Sequence, residues 1–259
     1  MIRGLYTSGW SMLANSKKMD VVSNNLANVN TNAYKKDTVV FQSFPEVLTQ
    51  RLNDTQSKTN PTGQIGGMEL GSDVGEIFTY YTPGQTVKTD NNLDLSLKGS
   101  GSSFFTVGVP QPNGDIQEFY TRDGAFAMDA NGMLVTKEGY PVMGTEGPII
   151  LANDKFAVTE DGTIVQNDTA VGKLLIRNFS DPTTLRKYGS NLVTRTEQTQ
   201  ETEFDGTVLQ GYVEQSNVNI IKEMVDMISV TRAYEANQKV LQAQDGTLEK
   251  AVNEVGAIR

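Results

Sequence analysis

NVNIIKEMVDMISVTRAYEANQKVLQAQDGTLEKAVNEV, residues 217–255, reads as one long amphipathic helix. Alternating steps of four and three residues from Ile220 meet Met224, Met227, Thr231, Tyr234, Gln238, Leu241, Asp245, Leu248, Val252 and Val255. A repeat averaging about three and a half residues keeps one stripe facing a partner helix. Thr231, Gln238 and Asp245 share one heptad position, where polar groups reduce stability but can fix register. The simplest reading of such a stripe is a helix packed on its own domain. The other is a helix that needs a partner.

The opposite end of the chain carries a matching pattern. Leu5, Met12, Met19 and Leu26 recur every heptad, with Gly9, Ser16 and Ser23 at the other seam position. Small residues admit a close neighbour, so bulky side chains of a second helix can fill the groove. An isolated helix of either length is marginal in water. Both ends are therefore expected to order only on packing against something else.

The chain has 259 residues and a net charge of −9. That charge argues against nucleic acid as a partner. It is unevenly spread: Arg3, Lys17, Lys18, Lys35 and Lys36 against Asp20 give the first 36 residues +4. A basic end on an acidic body favours head-to-tail packing of copies, although a solvated helix face explains it equally well. There is no cysteine and no histidine, which removes thiol chemistry and the commonest general base and metal ligand. No apolar run is long enough to cross a bilayer, and Gly4, Thr7, Ser8 and Asn15 interrupt any signal-peptide core.

Read in order, the first helix should stop near Asn28, in an asparagine-dense stretch of the kind that ends helices and builds turns. Residues 39–52 show a short helical pattern at Phe41, Phe44, Val47 or Leu48, and Leu52, and 53–67 read as a polar linker or mobile loop. From Val74 to Tyr212, turn signals such as Pro83-Gly84, Asn113-Gly114, Asp123-Gly124 and Asn131-Gly132 separate short strand-like runs. Leu93, Leu95 and Leu97 alternate with Asp94, Ser96 and Lys98, one face in and one out. Phe104, Phe105, Tyr120, Phe126 and Tyr140 are the expected core.

Chemistry is hard to place. Asp129-Ala130-Asn131-Gly132 begins like a calcium loop, but the later ligands are missing and a hairpin turn fits better. Gly99-Ser100-Gly101-Ser102 lacks the lysine of a phosphate loop. Nothing selects a catalytic pair from 31 carboxylates. No catalytic, metal or cofactor-binding residue is assigned, and no small-molecule substrate is expected.

The asparagine segment points elsewhere. Ser23-Asn24-Asn25-Leu26-Ala27-Asn28-Val29-Asn30-Thr31, followed by Tyr34-Lys35, closely resembles the N-terminal signature of the bacterial flagellar rod and hook proteins. Thr89–Val107, Tyr120-Thr121-Arg122-Asp123-Gly124 and Gly139-Tyr140-Pro141-Val142 are similar to that family's β-domain landmarks. Gly211-Tyr212-Val213-Glu214, Ser216-Asn217-Val218-Asn219 and Arg232-Ala233-Tyr234-Glu235 resemble its C-terminal block. Met19-Asp20-Val21-Val22 leans toward the distal-rod branch and Tyr140–Pro148 toward the proximal one. Ser102-Ser103 departs from the acidic residue and glycine that many members carry before the following phenylalanine.

The resemblance implies a structural subunit of the flagellar drive shaft in the basal body. It would be exported by the flagellar type III apparatus, would assemble helically outside the inner membrane, and would have copies of itself and other rod and hook subunits as partners. The expected fold is α+β. Long N- and C-terminal helices, 1–30 and 217–259, pair as a coiled coil. Residues 31–73 connect, with a short helix and a mobile loop, and 74–216 form a mostly antiparallel β domain. The assembly seam is expected at Leu5, Met12, Met19, Leu26, Met224, Met227, Tyr234, Leu241 and Leu248. Rival readings are a secreted β-domain hydrolase of cell-wall glycan and a non-polymerising rod adaptor or cap.

Overall fold

The computed structural model describes residues 2–50, 64–99, 101–111, 116–153, 155–167 and 169–255. The chain forms two compact units. One comprises Met1–Asn24, Asp37–Phe78 and Ile221–Arg259; the other comprises Asn25–Lys36 and Thr79–Ile220.

The first unit is built on two helices, α1 (Ile2–Ala27) and α2 (Ile220–Lys250). Glu223 in the first turn and Lys250 in the last turn of α2 both oppose the helix dipole favourably. Trp10 of α1 meets Phe44 edge-on, with ring centroids 4.9 Å apart. Thr7 donates to the Leu70 carbonyl at 3.0 Å, and Lys17 reaches Asp73 at 3.2 Å. These contacts hold Phe44, Leu70 and Asp73 on α1.

The helix expected over 39–52 is absent. Asp37–Ser43 is a strand paired with Ser72–Thr79, and Val47–Gln50 is a strand paired antiparallel with Gln64–Met68. Thr38, Val39, Val40 and Phe41 are β-branched or aromatic, and Pro45 cannot continue a helix. The apolar spacing matched a helical period only by coincidence. Leu52 and most of the expected loop, 51–63, lie outside the described residues, and the remainder of that loop, from Gln64, is strand.

The second unit is an antiparallel β domain. Its main sheet has six strands in the spatial order Arg186–Tyr188, Leu192–Thr194, Ile116–Thr121, Ser103–Pro110, Ile176–Phe179 and Glu201–Thr202. Ser103–Pro110 is buried on both faces, which explains its near-continuous apolar run. Phe105, Val107 and Val109 enter one core with Leu95, Leu97, Phe126, Leu134 and Ile164. Phe104 enters a second core with Tyr81, Tyr120, Phe179, Leu185 and Val193. The same burial on both faces overturns the half-exposed strand expected at 93–98: Asp94 and Ser96 are buried along with Leu95 and Leu97. Phe104, Phe105, Tyr120 and Phe126 are buried as expected, whereas Tyr140 is half-buried at the edge of the first core. The hairpin expected at Asp129–Gly132 forms, with Met128 opposite Leu134 and Gly132 in the left-handed region at φ 78°.

Candidate assembly site

The seam residues fall on helix faces with different environments. Leu5, Met12, Met19 and Leu26 are half-buried on α1, and Met227, Tyr234, Leu241 and Leu248 are half-buried on α2. Met224 is not: half of its surface is exposed. The covered stripe of α2 runs through Glu223, Met227, Val230, Tyr234, Asn237, Leu241, Gln244 and Leu248. It keeps the heptad spacing, sharing one row with the expected seam and taking its other row one residue earlier. Thr231, expected in the seam, instead returns its hydroxyl to the Met227 carbonyl at 2.9 Å. Where α1 meets α2, a Cβ on Gly4 would lie 2.5 Å from the Gln244 amide nitrogen. Gly9, also expected to admit a neighbour, has nothing within 4 Å of such a Cβ.

A second face of α2 is apolar and uncovered. Ile221 (75% exposed), Met224, Val225 and Ile228 follow the i, i+3, i+4, i+7 rule of one helix surface. On α1, Tyr6, Trp10 and Leu13 form a comparable stripe.

Asn25, Asn28, Tyr34, Ser216, Asn217 and Val218 lie in the β unit, around the end of α1 and before the start of α2, whereas Ser23, Asn24, Arg232, Ala233, Tyr234 and Glu235 lie in the helical unit. After Ala27 the chain turns through Asn28, whose carbonyl and side chain accept from the amide and hydroxyl of Thr31, each at 3.1 Å. Ala33 takes the left-handed conformation at φ 57°, a role expected of the neighbouring asparagines. Tyr34 is buried and its hydroxyl donates to Asn25 at 3.2 Å. Asn217 accepts from the Lys36 amide at 2.8 Å and donates to the carbonyls of Tyr80 at 2.8 Å and Thr82 at 3.1 Å. Ser216 accepts from the Val218 amide at 3.2 Å, and Val218 is buried. The Ala33 amide donates to the Glu214 carbonyl at 2.8 Å. The two connections are thus tied together by backbone as well as side chains. Ser23, Asn24, Ala27, Asn219, Arg232 and Glu235 are exposed, while Leu26, Asn28, Ser216, Ala233 and Tyr234 are half-buried.

At the centre lies an ion triad that the residue-by-residue reading missed. Glu214 accepts from Lys35 at 2.5 Å and from Arg122 at 2.6 Å, and all three side chains are almost fully buried. Further hydrogen bonds surround the triad. Glu214 also takes the Gly84 amide at 2.8 Å, Arg122 donates to the carbonyls of Ser103 and Leu97, and Lys35 donates to Thr82. Burial would raise the Glu214 pKa, but Arg122 and Lys35 outweigh it and hold the carboxyl below its ordinary value. For Lys35, lost hydration outweighs the attraction of Glu214 and lowers the pKa. With two cations around one carboxylate, the ionised Glu214 is the direction the geometry supports. Lys35, counted above with the basic surface of the N-terminus, is an internal group. The signal was present: each member sits inside a motif block, Tyr34-Lys35, Thr121-Arg122-Asp123-Gly124 and Tyr212-Val213-Glu214.

Among the described residues no group of His, Cys, Asp or Glu is placed to hold a metal ion. The buried charges position the chain connections, and exposed apolar side chains lie on both helices as well as on several strands. What the geometry offers is packing surface. Residues 5–35 match the flagella basal body rod protein model, 99–171 the flagellar hook protein FlgE/F/G D1 domain, and 209–254 the flagellar basal body rod FlgEFG protein C-terminal model. The flagellar basal-body rod protein FlgG of Buchnera aphidicola (subsp. Acyrthosiphon pisum) is 36% identical, over 96% of this chain and 98% of its own. FlgG of Borreliella burgdorferi is 32% identical over 98% of both chains, and the flagellar hook-basal body complex protein FlhO of Bacillus subtilis 30% over the full length of both. The chain belongs to the flagellar basal-body rod proteins, a family of structural rather than catalytic subunits.

Proposed function

We propose that this chain is a structural subunit of the flagellar rod, in the distal, FlgG-like position, which self-assembles through its terminal helices and transmits torque toward the hook. The family relationship over the full chain supports the role. The observation that carries the mechanism is the pair of apolar faces on α2. One face is covered within the chain, and Ile221, Met224, Val225 and Ile228 remain for a neighbour.

In this reading the half-buried rows, Leu5, Met12, Met19 and Leu26 on α1 with Met227, Tyr234, Leu241 and Leu248 on α2, pair as a coiled coil. The clearance at Gly4 supports that pairing. The uncovered row, with Met224, meets a second copy. A heterologous contact of this kind repeats without closing, which builds a helix of subunits. Export by the flagellar type III apparatus and contact with other rod and hook subunits complete the proposal.

The test is sedimentation of the purified chain at rising concentration, comparing wild type with a Met224→Asp/Ile228→Asp double variant. Assembly is expected to fall at least tenfold in the variant while helicity and Trp10 fluorescence stay unchanged. Equal assembly by both chains would remove the proposed contact.

A further inference from the structure

The chain passes between its two units at four points: Asn24–Asn25, Lys36–Asp37, Phe78–Thr79 and Ile220–Ile221. On the β-unit side, two residues bond to all four of these segments. The Tyr34 hydroxyl donates to Asn25, at the first crossing, at 3.2 Å. The Tyr34 carbonyl accepts from the backbone amide of Asn217, just ahead of the fourth, at 3.3 Å. The Asn217 side-chain oxygen takes the Lys36 amide at 2.8 Å, which holds the second crossing. Its side-chain nitrogen donates to the Tyr80 carbonyl at 2.8 Å and to the carbonyl and hydroxyl oxygens of Thr82, each at 3.1 Å, which holds the third. The second and third are also joined directly, by the Tyr80 amide donating to the Lys36 carbonyl at 2.9 Å.

One planar amide meets all of these main-chain partners. A backbone N–H can only donate and a backbone carbonyl can only accept, so the neighbours fix which end of the Asn217 amide is oxygen. Aspartate would keep an oxygen for Lys36 but has no hydrogen for Tyr80 or Thr82, and alanine has neither. Behind this joint stands Lys187, on the edge strand Arg186–Tyr188 of the six-stranded sheet. Its ammonium donates to the Lys35 carbonyl at 2.9 Å and lies 4.7 Å from the centre of the Tyr34 ring. A free peptide segment turns about two soft dihedrals per residue. Four free segments would each yield under a twisting load, whereas four segments pinned to one another must turn together.

We infer that Asn217 is the positioning residue of a torsionally stiff joint. Its one side chain binds the second and third crossings to the fourth, and its backbone binds Tyr34, which holds the first. Rotation of the helical unit is thereby passed to the β unit through every crossing at once. The use of this joint as a torque path rests on the proposed rod function; its stiffness does not.

The chain has no cysteine, so nitroxide labels at Glu138→Cys on the β unit and Glu235→Cys on α2, both exposed positions, are unique. The distribution of label-to-label distances is measured by pulsed electron spin resonance in the full chain, and hydrogen exchange at the Lys36 amide is followed in the unlabelled chain. In Asn217→Ala the distribution should broaden about twofold and the Lys36 amide should exchange about tenfold faster. In Asn217→Asp the distribution should also broaden, but the Lys36 amide should keep its protection, because only the bonds to Tyr80 and Thr82 are lost. Both variants retain the backbone bond to Tyr34 and the ion triad, so the near-ultraviolet signal of the β unit should be unchanged. A wild-type distance distribution in both variants would overturn the inference even if stability fell, since a residue that only adds stability would not free the units. Unchanged Lys36 exchange in Asn217→Ala would overturn it as well. These readouts come from the unassembled chain, so the joint and the rod assembly can fail separately.

Discussion

Glu214 is the residue on which the joint between the two connections turns. Its carboxylate is held by Lys35, Arg122 and the Gly84 amide in a site from which water is excluded. Removing one partner of such a group leaves an uncompensated buried charge, which costs about 3–5 kcal/mol. Glu214→Gln is therefore expected to lower the urea-unfolding free energy by roughly that amount, whereas Glu235→Gln on the exposed side of α2 should change it by less than about 0.5 kcal/mol. The acid limb follows from the same group. Its folded pKa lies below the ordinary 4.5, so its stabilising contribution is complete above that value and is lost as pH falls through the folded pKa. Unfolding free energy measured from pH 7 downward should fall more steeply in wild type than in Glu214→Gln. Ala33 gives a backbone counterpart. At φ 57° and buried, it should accept glycine but not a β-branched residue. Ala33→Val is expected to cost about 2 kcal/mol or more by the same unfolding measurement, with Ala33→Gly close to neutral.

Among the elements, two glycines show how much the identity of a neighbour matters. A Cβ on Gly124 would lie 1.6 Å from the Leu95 carbonyl oxygen, which belongs to a strand locked into the core and cannot retreat. Gly124→Ala should therefore destabilise the β unit by about 2–3 kcal/mol in thermal or urea unfolding. On Gly4 the obstructing atom is the end of the Gln244 side chain, which can swing aside. Gly4→Ala should cost less than about 1 kcal/mol, and Trp10 fluorescence offers a local reading of whether α1 keeps its place. The strands at 37–50 make the same point about context. Their apolar spacing fits a helix, but Thr, Val and Phe at successive positions with a following proline favour extended chain. Pairing with 64–79 then settles the matter.

For the whole molecule, the two units carry separable properties. Both apolar cores and the ion triad lie within Asn25–Lys36 and Thr79–Ile220, so the β unit does not draw its core from α2. Deleting residues 221–259 should leave the near-ultraviolet signal of the buried tyrosines and phenylalanines intact. The same deletion should abolish sedimenting assemblies. A chain that lost the β signal as well, or that still assembled, would contradict this separation of fold from polymerisation.

Periodicity was enough to place both terminal helices, because a repeat of about 3.5 residues sustained over many turns keeps one apolar stripe on one helix face. Turn residues were enough to mark an antiparallel β domain, since glycine, proline, aspartate and asparagine punctuate chains for local steric reasons. The motif blocks pointed to the family with no geometry at all. Three-dimensional packing was needed for the rest. Heptad spacing leaves neighbouring stripes nearly equivalent, and only contact shows that Val230 and Gln244 lie on the covered stripe while Met224 lies outside it. Lys35 reads as a surface cation until Glu214, far along the chain, and Arg122 close around it. Local signals travel along the chain and can be read there; burial and pairing join residues that are distant in it, and no local pattern encodes them.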